Sequence, residues 1–429
     1  MIKKGVVVTI IFIISTFIQL ISQIVVTRIF GAKLNLDIYL AAVVIPTIVV
    51  TVIYGTLNDA FLPLLGEQKS KNPKNSDTYF LSMLLILSIF SLFIAGIAGF
   101  FSKPISELLY KSRGLEFVQS VAFQMNYLFY SIPVSVIATL LGSYYYIHKN
   151  FNRFPIAQAV GSIVNLATII ILAPYFGTMS LVIAFIFNIL IQIFFVIPSF
   201  KHFSFSNFSH FLNFKYIWPL VIAWIPLIIG NFALRSDAII IRSFGSSLPA
   251  GYLVYLNLIS KIFSLATGVM TIGIQILLLP HLIEYINKKE YKKTIQTVNK
   301  AKVIAIGVSV FVTICLIVFA PIAIYLLFVG GKFTKHDADT TISLLPYFIM
   351  PAIGWGIVNV FYQPLLAMKK QIHLGLLNIF AFAASWIIGS QLLKTYSPMI
   401  AISAGLIILL GTGIIGSEIL WQYYKKKLI

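Results

Sequence analysis

The chain has 429 residues, of which 59% are hydrophobic and only 10% charged, and its mean hydropathy is +0.97. These values exclude an ordinary soluble domain and indicate a multi-pass membrane protein. The net charge of +19 does not indicate a nucleic-acid partner, because the basic residues form short clusters between apolar runs. Such clusters orient a protein in the membrane and contact anionic lipids.

Twelve apolar runs are long enough to cross a membrane, which takes about 20 helical residues. They fall at residues 5–27, 36–64, 78–101, 120–147, 155–175, 179–199, 216–241, 250–280, 301–328, 343–367, 373–393 and 399–424. The first run lacks the cleavage site of a signal peptide, so a retained helix is predicted. Pro46 and Gly55 in the second run, and Gly268 and Gly273 in the eighth, predict bent or partly unwound helices.

The sequence repeats itself half a chain apart. Arg28-x-Phe-Gly returns as Arg242-x-Phe-Gly, 214 residues later, and Pro63 and Pro280 are each followed by Glu at the fourth position. Two copies in the same direction predict two pseudo-symmetric six-helix lobes with a binding site between them. The sequence therefore predicts an all-α polytopic membrane protein.

The predicted lobes cover residues 1–200 and 216–429, and a cytoplasmic linker covers residues 201–215. The linker's aromatic residues are typical both of an amphipathic helix on the inner leaflet and of an ordinary loop. Of the 31 basic residues, twenty lie on the side of the N-terminus, ten on the opposite side or in the helices that enter it, and Lys261 within a span. This bias predicts that both termini are cytoplasmic. The protein is predicted to lie in the plasma membrane.

Few ionisable side chains fall inside the predicted spans, where each costs at least about 2.5–3.5 kcal/mol and so indicates a cavity, a partner or a pathway. Lys261, near the middle of the eighth span, is the first candidate for binding an anion, and Arg235 and Asp237 lie in the seventh. Asp59 and Asp237 are candidates for a coupling cation. An interhelical salt bridge is the structural alternative for each of these residues.

Arg28 ends the first span, and Asp37 follows it across the first external turn. We expect Asp37 to cap the second helix or to pair with Arg28. Arg28 and Arg242 either line the cavity or anchor the protein at the membrane interface.

Asparagines within the spans form hydrogen bonds either with sugar hydroxyls or with other helices, and the second use is commoner. They are Asn126, Asn165, Asn188, Asn257 and Asn359.

No enzyme signature is present in the sequence. A P-loop is absent, so ATP is not predicted to be the direct energy source, and carboxylates are too dispersed for glycosyl transfer. The single cysteine, Cys315, excludes an intramolecular disulfide. The segment that contains His336, Asp337 and Asp339 is predicted to be a solvated external loop rather than a metal site. No cofactor is predicted, and sodium or proton coupling is left open.

The beginning of the chain resembles the MurJ/MviN lipid II flippases of the multidrug/oligosaccharidyl-lipid/polysaccharide exporter superfamily. The resemblance rests on Arg28-Ile-Phe-Gly-Ala-x4-Asp37-x-Tyr39-x-Ala-Ala-x3-Pro46 and Gly55-x4-Ala-Phe-x-Pro63-x3-Glu67. Similar segments follow at Asn165-Leu, Ala173-Pro-Tyr-Phe, Gly268 to Pro280, and Gly331-Lys-Phe-Thr with Asp337. The resemblance implies a V-shaped, two-lobed transporter that moves a polyprenyl-pyrophosphate-linked sugar to the outer leaflet.

The resemblance implies site residues where this chain matches the family's pattern at the same position. Arg28 and Asp37 match the family's pattern, and Lys261 stands where the family has a cavity arginine. The first-lobe arginines expected for the pyrophosphate are absent, since Ser22-Gln23 and Val50-Thr51 occupy their places. Arg235 and Asp237 lie near the repeat-equivalent position, so we expect the anion site in the second lobe.

The predicted function is a flippase for a polyprenyl-pyrophosphate-linked oligosaccharide, working by alternating access. The family's two additional C-terminal helices are missing from this sequence, so an exopolysaccharide repeat unit is an alternative substrate to lipid II. Three other functions stay open: a cation-coupled multidrug antiporter of the same superfamily, a non-transporting scaffold for polysaccharide assembly, and an integral glycosyltransferase. Expected partners are the lipid-linked oligosaccharide, anionic lipids and polysaccharide or cell-wall assembly proteins.

Overall fold

The computed structural model describes residues 2–71, 73–197 and 216–426, and nearly all of them are helical. The chain forms two compact units, Met1–Ile228 and Ile229–Ile429. Among the described residues the β-structure is an isolated bridge between Gly330 and Phe333. The all-α prediction is confirmed, whereas the predicted linker at 201–215 lies outside the described residues.

The first unit contains nine helices and most of a tenth, which crosses the boundary between the units. They are α1 (Ile2–Phe30), α2 (Leu34–Ala42), α3 (Val44–Lys71), α4 (Pro73–Phe100), α5 (Ser102–Tyr110), α6 (Leu115–Phe129), α7 (Ser131–Ile147), α8 (Arg153–Phe176), α9 (Met179–Val196) and α10 (Ile217–Leu234). Helix α8 packs along α9 and α1, and α3 packs against α7. Aromatic contacts fill this core, with the ring centroids of Phe80 and Tyr144 4.9 Å apart.

The second unit continues with seven helices. They are α11 (Asp237–Gly245), α12 (Tyr252–Asn287), α13 (Tyr291–Phe328), α14 (Lys335–Leu344), α15 (Ile349–Ala367), α16 (Gln371–Thr395) and α17 (Pro398–Lys426). Helix α15 contacts α12, α13 and α17, and α16 packs along α17. Trp421 of α17 is fully buried in this core. Helix α15 therefore lies at the centre of the unit, beside α12, which carries Lys261.

Nine helical segments among the described residues are long and apolar enough to span a membrane, and the bent pair of α10 and α11 makes a tenth. Twelve spans were predicted. The first and eighth predicted runs lie within α1 and α12, where the apolar segments Ile14–Phe30 and Tyr252–Phe263 belong to helices of 29 and 36 residues. Each of the twelve runs thus coincides with a helix or a helix pair.

The two predicted helix irregularities have different outcomes. The second run is interrupted at Val43, between α2 and α3, and Pro46 then falls in the first turn of α3, where a missing N–H is tolerated. The predicted unwinding of the eighth run is wrong, because α12 continues from Tyr252 to Asn287 through both of its glycines. Glycine lowers helix propensity without requiring a break, so the packing of a helix against its neighbours decides whether it continues through a glycine.

The repeated Arg-x-Phe-Gly motif occupies corresponding helix ends. Arg28 lies in the last turn of α1 and Arg242 in the last turn of α11. The glycines differ in use. Gly31 has φ +66°, whereas Gly245 remains in the helix, where an added Cβ would lie 2.6 Å from Leu256. The first glycine allows a turn and the second allows close packing of α11 against α12.

Candidate anion-binding site

The seventh predicted span is broken at its most polar point. Helix α10 and helix α11 meet at an angle of 44°, and Arg235 and Ser236 form the turn between them. Asp237 begins α11, where a carboxylate is favoured by the positive end of the helix dipole. Discontinuous spans are tolerated in a membrane where they line a cavity or are buried in protein, and they form substrate sites in many transporters.

Asp237 lies among positively charged groups. It interacts electrostatically with Arg235 and with Arg242, five residues further along α11, and it accepts a hydrogen bond from Trp355 of α15. Arg235 is exposed and Asp237 is half-buried. The carboxylate is therefore bonded to α15 and interacts electrostatically with two guanidinium groups.

Arg242 links this turn to α12. Its Nη2 donates a hydrogen bond to Oδ1 of Asn257 over 2.9 Å. Lys261 lies one helical turn after Asn257, on the same side of α12, and interacts electrostatically with Arg242. Lys261 is exposed, whereas Asn257 is only 4% exposed. The buried Nδ2 of Asn257 makes no hydrogen bond within the described part of the chain, so a donor is available here.

We call Arg235, Asp237, Arg242 and Lys261 the second-unit cluster. Three cations and one carboxylate give it a net charge of +2. Cations gathered in this way repel one another unless an anion is bound, and the repulsion is stronger away from bulk water. Guanidinium groups bind phosphate oxygens through paired hydrogen bonds, and an ammonium group binds them as a point charge. The cluster is therefore chemically suited to a phosphate-containing anion.

The structure brings three of the predicted site residues together, namely Arg235, Asp237 and Lys261. It adds Arg242, which the sequence left open between a cavity residue and an interface anchor, and Trp355, which the sequence did not identify. Asn257 could have been identified from the sequence, because residues four apart share a helix face and Asn257 lies four residues before Lys261. No local pattern connects Trp355 with Asp237.

The remaining predicted residues lie in the first unit. Asp37 is completely buried, and Nη2 of Arg113 donates a hydrogen bond to its Oδ2 over 2.9 Å. Asp37 was expected to cap the second helix or to pair with Arg28; it lies in the first turn of α2, and the structure shows its ion pair with Arg113. Arg28 is exposed at the end of α1, and Asp59 is exposed on α3.

The interior of the first unit is polar but neutral around the places where the resemblance implies arginines. Ser22 donates a hydrogen bond to Asn165 over 3.4 Å, and Gln23 donates one to Thr27 over 3.4 Å. The repeat offset of 214 residues relates Ser22 and Gln23 to Ser236 and Asp237. Corresponding positions therefore hold neutral groups in the first unit and a charged cluster in the second.

The acidic loop beside His336 has structural contacts. Asp337 accepts a hydrogen bond from the Tyr255 hydroxyl over 2.6 Å and forms a capping box with Thr334 at the start of α14. Asp339 accepts a hydrogen bond from Tyr325. Within residues 2–71, 73–197 and 216–426, no group of three His, Cys, Asp or Glu side chains could hold a metal ion.

Comparison with known proteins gives a consistent family. The sequence model of the family "Lipid II flippase MurJ" matches residues 26–429. A probable lipid II flippase MurJ of Buchnera aphidicola subsp. Acyrthosiphon pisum is 25% identical over 369 residues, which cover 83% of this chain and 71% of that protein. The corresponding protein of Borreliella burgdorferi is 25% identical over 380 residues, covering 84% and 72% of the two chains.

Solved structures share the fold. A lipid II flippase MurJ in an inward closed conformation superposes with a TM-score of 0.76 at 20% identity, covering 98% of this chain and 87% of that one. An inward-facing MATE multidrug resistance transporter of the MOP superfamily gives a TM-score of 0.78 at 12% identity, covering 96% and 94%. Since the family model extends over nearly the whole sequence, this chain belongs to the lipid II flippase MurJ family.

Proposed function

We propose that this chain flips a polyprenyl-pyrophosphate-linked oligosaccharide from the cytoplasmic to the outer leaflet of the plasma membrane. The second-unit cluster binds the pyrophosphate of the headgroup. The observation that carries this proposal is the concentration of three cations around a broken span of the second unit. Membership of the MurJ family supports lipid II as the substrate, and an exopolysaccharide repeat unit is the second candidate.

The cluster performs two tasks in this proposal. Arg235, Arg242 and Lys261 attract the pyrophosphate and replace the water that it loses on entering the protein. Asp237 competes with the ligand for the two arginines, which keeps binding weak enough for release. The two lobes alternate access to the site. With the termini in the cytoplasm, an inside-negative potential favours outward movement of an anion by about 2.3 kcal/mol per charge per 100 mV.

A cation-coupled multidrug antiporter is the second candidate function, because the MATE transporter has a closely similar fold. Its substrates would meet the net positive charge of the second-unit cluster, which repels organic cations. Asp59 and Asp237 would then have to bind the coupling cation. The charge of the cluster therefore favours the flippase over the antiporter.

The proposal is tested in cells whose own lipid II flippase is depleted. We expect expression of this chain to restore lipid II in the outer leaflet and to leave the efflux of a cationic dye unchanged. Dye efflux without restored lipid II would support the antiporter instead. Restored export of an undecaprenyl-linked exopolysaccharide unit, without lipid II, would keep the flippase and change its substrate. An inactive chain at normal membrane level would leave the scaffold function.

A further inference from the structure

A cleft of about 480 Å³ opens on the first unit, on helices that do not contribute to the second-unit cluster. It lies where the turn between α7 and α8 meets the end of α9. The residues that line it are Asn150, Asn152, Arg153, Ile156, Phe194 and Phe195. The predicted topology places this turn at the cytoplasmic surface of the membrane.

Arg153 is fixed in this cleft by two contacts. Its Nε donates a hydrogen bond to the backbone carbonyl of Phe195 over 2.8 Å, and its guanidinium lies 4.7 Å from the ring centroid of Tyr145. An arginine has five N–H donors in a planar fork, and these contacts use one donor and one face. The side chain remains exposed. A cation with available donors is therefore held in a defined position at the wall of the cleft.

The rest of the lining combines one polar group with apolar surface. Oδ1 of Asn152 is buried and accepts no hydrogen bond within the described residues. A buried acceptor of this kind needs a donor, which a ligand can supply. Phe194 is 70% exposed, and Phe195 and Ile156 are also exposed. The cleft thus presents a cation, a hydrogen-bond acceptor and an apolar wall side by side.

The turn beside the cleft has an unusual backbone. Lys149 has φ +59°, in the left-handed region that favours glycine. The same conformation recurs in the second unit at Lys369, with φ +58°, and the next residue, Lys370, lies 4.8 Å from the Tyr424 ring centroid. In both units a left-handed lysine therefore precedes a cation placed over a tyrosine. The predicted topology assigns both turns to the cytoplasmic side.

The geometry points to a binding site for an anionic phospholipid of the cytoplasmic leaflet in this cleft. Arg153 binds the phosphate, Asn152 accepts a hydrogen bond from a headgroup hydroxyl, and the acyl chains lie along Phe194 and Ile156. Phosphatidylglycerol has this combination of groups. Because the site is independent of the second-unit cluster, it stands or falls separately from the proposed flippase function.

The experiment uses the purified full-length chain and measures binding of single lipids by native mass spectrometry. Dioleoyl phosphatidylglycerol is compared with dioleoyl phosphatidylcholine, and soluble glycerol phosphate is the probe without acyl chains. We expect a preference for phosphatidylglycerol of about fivefold, as one basic residue near a membrane surface contributes about 1 kcal/mol. Arg153→Gln should abolish the preference, and Lys103→Gln, at an exposed lysine of α5, should retain it.

Asn152→Asp keeps the contacts of Arg153 and places a carboxylate beside the phosphate, so it tests the site even where Arg153→Gln disturbs folding. We expect it to remove the preference for phosphatidylglycerol as well. An unchanged preference in Asn152→Asp would overturn the site. Equal binding of both lipids by the wild-type chain would do the same. Equally strong binding of glycerol phosphate would show a site for a free phosphoester and overturn the assignment to a membrane lipid.

Discussion

Asp237 is the residue that sets the charge balance of the second-unit cluster. It is the one carboxylate among three cations there, and Trp355 of α15 holds it by a hydrogen bond. The buried pair of Asp37 and Arg113 in the first unit has a different character, because both groups are shielded from water and bonded to each other. We expect the first carboxylate to modulate ligand binding and the second to maintain the fold.

We predict that Asp237→Asn tightens binding of undecaprenyl pyrophosphate roughly tenfold and slows flipping. The amide keeps the size of the side chain and its acceptor for Trp355, but it removes the negative charge that competes with the ligand, an effect of about 1–2 kcal/mol. Affinity in detergent and flipping in reconstituted vesicles provide the two readouts. Asp59→Asn, in the first unit, is the matched control and should leave the affinity unchanged. Weaker binding by Asp237→Asn would contradict this assignment.

We predict that Asp37→Ala destabilises the chain by about 3–5 kcal/mol, because it leaves Arg113 buried without its counter-charge. The double change Asp37→Leu with Arg113→Met should recover much of this lost stability, because two apolar side chains leave no buried charge without a counter-charge. Thermal unfolding in detergent measures both variants. Glu67→Ala is the control. Glu67 is exposed and forms an ion pair with Lys71, which water screens. A similar change in melting temperature for Asp37→Ala and Glu67→Ala would refute the prediction.

At the scale of the element, α11 depends on close packing by glycines. Phe244 of α11 lies against Gly389 of α16 and Gly405 of α17, and its ring centroid is 5.5 Å from that of Trp386. Phe244 is two residues after Arg242, so the position of this short helix also fixes the position of the arginine. Packing and site geometry are thus coupled through α11.

We expect Gly389→Ala to destabilise the chain by about 1–3 kcal/mol, because its Cβ would lie 2.3 Å from Cε2 of Phe244. Displacement of α11 should also reduce flipping. The control is Gly411→Ala in α17, where an added Cβ meets nothing within 4 Å. This change should stabilise the helix by roughly 0.5–1 kcal/mol. If both variants melt at the same temperature as the wild type, α11 is not held by this contact.

The turn between α12 and α13 offers a second element-scale prediction. Lys289 has φ +57° there, and its neighbour Glu290 donates a backbone hydrogen bond to Tyr285 over 2.9 Å. Lys289→Gly should raise stability by about 1 kcal/mol, because glycine adopts this conformation without strain. Lys300→Gly, within α13, should lower it by about as much. Equal effects on the melting temperature would mean that loss of charge, rather than backbone conformation, dominates.

At the scale of the whole molecule, hydrophobic run length predicted the helices well, because the bilayer requires long apolar segments whatever their packing. The cost of charge in a membrane likewise directed attention to Arg235, Asp237 and Lys261, whose role in binding stays a prediction. Contacts between distant segments were not predictable. Arg113 and Trp355 reach their partners only through the packing of helices, which no local pattern encodes.

The central claim is that the cations of the second-unit cluster bind the headgroup during flipping. The most direct measurement is the appearance of lipid II in the outer leaflet for Arg235→Ala, Lys261→Ala and the double variant, at equal membrane levels of protein. We predict a loss of at least roughly tenfold for the double variant, since charge-assisted hydrogen bonds contribute about 1.5–3 kcal/mol each. Lys394→Ala, at an exposed lysine of α16, should flip normally. Unchanged flipping by the folded double variant would contradict the account.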